Sequence, residues 1–115
     1  MPALILMYHD LAGKEEGLEC VPAGHRPYVL ESLAFRLQVR TVAALGLPVL
    51  TVSQWAMGPR PERAVLLTFD DGHVSNRDLA LTILQEYGLK ATFYVTAGAI
   101  DRRLNYELVT DSRFP

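Results

Sequence analysis

Ala64-Val65-Leu66-Leu67-Thr68-Phe69-Asp70-Asp71-Gly72 is the stretch on which the reading of this chain turns. Six apolar or β-favouring residues, rich in Val, Leu and Phe, run without interruption into two carboxylates and a glycine. A short run with no polar alternation is expected of a strand covered on both faces of a parallel sheet. Two adjacent carboxylates at its end repel one another, and burial disfavours their ionisation, so something has to compensate them. A divalent cation would do so, as would a division of labour in which one Asp binds metal and its neighbour acts as a base. Gly72 allows a positive φ and so re-aims the chain after the strand. Asp-Gly is also a common turn signal, so a solvated turn is the alternative for this tripeptide taken alone.

Strands and helices alternate on either side. Ala3 to Tyr8 is a second fully apolar run, expected as a strand buried on both faces. A polar loop is expected from Asp10 to Pro27, with Gly13, Gly17, Pro22 and Gly24. From Ser32 the pattern becomes helical: Phe35, Val39, Val42 and Leu45 form one stripe, and Gly46 is a natural stop. Pro48 to Val52 reads as a strand, after which Ser53 would cap a short helix through Met57. Beyond the Asp pair, Ser75 and Asp78 resemble a capping box. They would open a helix with Leu79, Ala80, Ile83, Leu84 and Tyr87 on its apolar face, ended by Gly88. Lys90 to Val95 reads as the fourth strand. The expected class is α/β, with about four parallel strands and intervening helices.

Such sheets place their chemistry where the strands end at their C-terminal side. His9 and Asp10 after the first strand, Asp70-Asp71-Gly72 after the third and Thr96 after the fourth would then open onto one rim. His9, Asp10 and Thr96 are thus candidate rim or substrate-binding residues, while His73 reads as a solvated loop residue.

Composition narrows the partners. The chain has 115 residues, 11 basic and 13 acidic, a formal net charge of −2, half its residues hydrophobic and a single cysteine. No cluster of Lys or Arg is present, which argues against nucleic acid as a partner. The longest apolar run is far short of the roughly 18 residues that span a bilayer. No signal peptide is evident, so the chain as written reads as cytoplasmic, or as a cell-envelope or secreted protein if its natural start lies upstream. Cys20 has no second cysteine to pair with and reads as a loop thiol beside His25.

Thr68-Phe69-Asp70-Asp71-Gly72, followed by the helix to Gly88 and by Ala91-Thr92-Phe93-Tyr94-Val95, closely resembles the first signature region of the polysaccharide deacetylases, the NodB-homology group or carbohydrate esterase family 4. Leu6-Met7-Tyr8-His9-Asp10 looks like the opening strand of many members, and Phe35 to Val52 like their first helix and second strand. The resemblance covers roughly residues 3 to 100. It implies part of a distorted (β/α) barrel and a metal-dependent hydrolase that removes N-acetyl groups from an N-acetylated polysaccharide. By position, Asp70 would be the catalytic base and Asp71 a ligand of a divalent metal, commonly zinc. The metal would polarise the amide carbonyl while Asp70 takes a proton from water.

The chain also departs from that family. Its histidines are His9, His25 and His73, so the family's downstream pair of metal-binding histidines has no match, and neither do the later regions that supply an Arg and a general-acid His. A full barrel needs about 200 residues or more. Residues 1–115 therefore read as a single, incomplete domain corresponding to the N-terminal half, and an open sheet edge would favour self-association. The alternative is a non-catalytic remnant that binds carbohydrate or a partner. A phosphotransfer domain fits poorly, because haloacid-type phosphatases need Asp-x-Asp at the strand end.

Overall fold

The computed structural model describes residues 3–13, 23–70, 72 and 75–95. In chain order the elements are β1 (Ala3–Tyr8), β2 (Asp10–Ala12), a 3-10 turn (Arg26–Tyr28), β3 (Val29–Glu31), α1 (Ser32–Ala44), α2 (Val52–Met57), β4 (Ala64–Phe69), a π-helical turn (Asn76–Ala80) that runs into α3 (Leu81–Glu86), and β5 (Thr92–Phe93). The main sheet has the order β1-β4-β5 and both of its pairings are parallel. This is the expected α/β arrangement, with an open sheet among the described residues.

β4 is its centre. All six residues from Ala64 to Phe69 are buried, as the unbroken apolar run requires. β1 differs from expectation. Leu4, Ile5 and Met7 are 54%, 59% and 64% exposed, and β1 is an edge strand among the described residues. Its inward residue Tyr8 is buried and joins an aromatic cluster with Phe35, Phe69 and Phe93. Burial holds the Tyr8 hydroxyl above the ordinary tyrosine pKa, so it stays neutral and donates to Gln38 Oε1 at 2.8 Å.

α1 lays Phe35, Val39 and Val42 against the sheet, with the spacing read from the sequence. Leu45 falls outside the stripe: it caps the helix and is exposed, and Gly46 leaves the helix at φ +67°. Ala80, Ile83 and Leu84 cover the core from the other helix. Exposed Arg36 and Glu86 join α1 to α3 by an ion pair on the surface.

Four local expectations are corrected. The strand over 48–52 shrinks to a single parallel bridge, Val49 to Val65. Thr51 ends it by capping α2 in place of Ser53: its side chain accepts from the Gln54 amide while the Gln54 side chain accepts from the Thr51 amide. The capping box expected at Ser75 and Asp78 does not form. Ser75 Oγ accepts from the Leu11 amide at 2.9 Å, and Asp78 pairs with Arg77. Finally, β5 is confined to Thr92–Phe93, with Tyr94 contributing one more bond to the Phe69 carbonyl at 2.8 Å.

The region read as a loop from Asp10 to Pro27 holds a further surprise. Its first three residues form β2, which pairs in parallel with β3 as a separate two-stranded ribbon: Asp10 with Val29, Leu11 with Leu30 and Ala12 with Glu31. Leu11 and Ala12 are buried and anchor the ribbon.

Candidate active site

Register decides which residues meet. β1 and β4 run in parallel with Tyr8 opposite Phe69, so the next residue of each strand, His9 and Asp70, emerges at the same end. The Asp70 amide donates to the Tyr8 carbonyl at 2.9 Å and holds this geometry. His9 Nε2 lies 4.0 Å from Asp70 Oδ2, and the two side chains are 25% and 29% exposed. Both are thus half-sheltered at the sheet's C-terminal end, open enough for a ligand to reach. Asp10 turns away at once into β2 and lines a groove on the β1 side. Of the expected rim residues, the structure joins His9 to Asp70. Asp71, Thr96, His73 and Cys20 lie outside the described residues, and His25 sits at the 3-10 turn.

Gly72 follows the strand with φ +69°, as the turn required. A Cβ at this position would fall 2.9 Å from Val95 Cγ1 and 3.3 Å from Val95 Cα, so the loop crosses the start of the next connection at glycine-only distance. Gly72→Ala combines left-handed strain with this overlap and is expected to destabilise the fold by about 1–3 kcal/mol. Chemical denaturation of the two proteins measures it. An unchanged midpoint would mean that the turn relaxes freely.

Two nearby residues carried no sequence signal. Asn76 is 5% exposed, and neither atom of its amide has a hydrogen-bond partner among the described residues. Tyr28 brings its ring edge-to-face against His9, 5.3 Å between centroids at 73°. Only the β2–β3 pairing returns Tyr28 to His9, and no local pattern announces it.

Metal binding needs more than this pair. A catalytic zinc commonly takes three protein ligands. No group of three or more His, Cys, Asp or Glu that could hold a metal occurs among the described residues. Among the described residues, His9 and Asp70 offer two donors, fewer than such a site takes.

Comparison with known proteins falls on this same region. The family model for polysaccharide deacetylase matches residues 57–111, which contain β4 and the Asp pair. The curated relative YxkH of Bacillus subtilis (strain 168), whose name carries that family's, is 40% identical over 42 residues, 36% of this chain and 15% of that protein. Among solved structures, the Streptococcus pyogenes deacetylase PplD in complex with acetate superposes with a TM-score of 0.70 at 26% identity, covering 87% of this chain. In sequence over residues 57–111, and in fold, the chain is similar to the polysaccharide deacetylases. A de-N-acetylase from Aggregatibacter actinomycetemcomitans shares the deacetylase fold, with a TM-score of 0.70 at 22% identity over 86% of this chain. The chain spans 45% and 39% of those two solved structures. The half-barrel architecture read from the sequence is therefore that of the polysaccharide deacetylases.

Proposed function

We propose that this chain forms part of a hydrolase that removes N-acetyl groups from an N-acetylated carbohydrate, with residues 1–115 as one unit of its deacetylase domain. The observation that carries the reading is the approach of His9 to Asp70 at the C-terminal end of β4, with Asp70 inside the segment that matches the family model. Asp70 is the base: its carboxylate takes a proton from the water that attacks the amide carbonyl. When the tetrahedral intermediate collapses, the C–N bond breaks, acetate forms and the amine departs with a proton. His9, 4.0 Å from Asp70, is positioned to hold that proton beside the leaving nitrogen. Asp71 is the metal ligand in this reading, and zinc is the metal proposed. When bound, it would polarise the carbonyl and acidify the water.

The second reading is saccharide binding without turnover, in which His9 and the groove it lines serve binding alone. Bound zinc and acetate release from N-acetylglucosamine oligomers decide between them, with Asp71→Ala as the control. Stoichiometric zinc that disappears in Asp71→Ala, together with acetate release, is the expected result. Zinc binding unchanged by Asp71→Ala would overturn the ligand assignment. Saccharide binding with no acetate released would favour the second reading.

A further inference from the structure

A groove of about 320 Å³ runs along β1 from the site toward the β2–β3 ribbon, its walls including His9, Asp10, Pro27, Tyr28, Leu30 and Gln38. This is the low end of the size range of ligand pockets, about 300–1,000 Å³, and suits one sugar-sized ring better than an extended chain. We propose that the groove is a saccharide subsite in which Tyr28 is the stacking platform, a specificity-determining residue for the sugar bound next to the scissile amide. The proposal rests on the deacetylase reading above for its substrate class.

Four observations converge on Tyr28. Tyr28 is 58% exposed although its ring packs edge-to-face on His9, and it lines the groove, so it can meet a ligand there without unpacking the core. A pyranose has an apolar C–H face and a polar rim, and an aromatic ring with polar side chains around it complements both. Gln38 supplies such a group: it lines the groove, and its amide is held by the bond that its Oε1 accepts from the Tyr8 hydroxyl. His9 belongs to both places at once. It lines the groove and lies 4.0 Å from Asp70, so a ring seated on Tyr28 would place its substituents beside the carboxylate. Pro27 stiffens the backbone just before the platform within the 3-10 turn and limits its freedom to swing away.

The test separates binding from chemistry. Chitotriose is titrated into the full chain carrying Asp70→Asn, with and without Tyr28→Ala, and followed by saturation-transfer NMR on the sugar protons. Tyr28→Ala is expected to weaken binding roughly tenfold and to remove the saturation that reaches the sugar's C–H face, while Tyr28→Phe keeps both. Thermal unfolding of each variant checks that the exposed ring is not needed for folding. Equal affinity in the Tyr28→Ala and parent proteins overturns the platform, as does the absence of saturable chitotriose binding. These failures are distinct from failure of the deacetylase reading, which is absence of acetate release by the unsubstituted protein while chitotriose still binds in a Tyr28-dependent way.

Discussion

Asp70→Asn is expected to reduce acetate release from N-acetylglucosamine oligomers by about 10²–10⁴-fold, the usual range for loss of a positioned general base. Asn matches Asp in shape but cannot accept the water's proton. The backbone at this position is held by the Asp70 amide bond to Tyr8 and by the Tyr94 bond to the preceding carbonyl, both of which survive the substitution. Since the side chain is partly exposed, the variant should keep the parent's melting temperature and saccharide affinity. Turnover and KM measured together make the prediction specific: turnover falls and KM holds. An Asn variant that retains the parent rate would remove Asp70 from its role as base.

Phe69→Ala carries the largest expected effect on stability. Phe69 is fully buried, and its ring lies 4.9 Å from that of Phe93, 5.1 Å from Tyr8 and 5.5 Å from Phe35. It therefore joins β1, β4, β5 and α1 at a single point. Deleting a buried Phe ring costs about 3–5 kcal/mol, against a total stability of about 5–15 kcal/mol for a whole domain. In a domain of this size the melting temperature should drop by upwards of roughly 12 °C. Circular dichroism melts measure it, and a shift below about 4 °C would show that the cluster repacks around the cavity. Because Asp70 is the next residue, any backbone relaxation at position 69 also displaces the carboxylate from His9.

Some of the site was legible before the fold was known, and particular residues show why. Asp70 could be singled out because an apolar run ending in charge is a local pattern: it needs no partner to be seen. Gly72 was similarly readable, since a turn straight after a strand calls for a residue that accepts positive φ, and the observed value is +69°. Thr51 was missed for a physical reason as well. Thr and Ser are comparable N-caps, and the choice between Thr51 and Ser53 is made by where the bridge to Val65 releases the chain. Ser75 looks like a cap in sequence, but the Leu11 amide, 64 positions away, takes its hydroxyl instead. Tyr28 and Asn76 gave no signal, because neither an exposed aromatic nor a lone Asn means anything until its neighbours in space are known.

The sequence by itself determined the α/β class, the central strand at Ala64–Phe69, the α1 stripe and the family signature around Asp70 and Asp71. Each rests on periodicity, composition or a contiguous motif, and these act over a few residues at a time. The tertiary structure alone decided that His9 meets Asp70, that β2 and β3 form a second ribbon, and that Tyr28 stands over the groove beside them. Those facts depend on the register of β1 against β4 and of β2 against β3. Register is set by the packing of residues about 60 and about 20 positions apart, and no local preference of either strand encodes it.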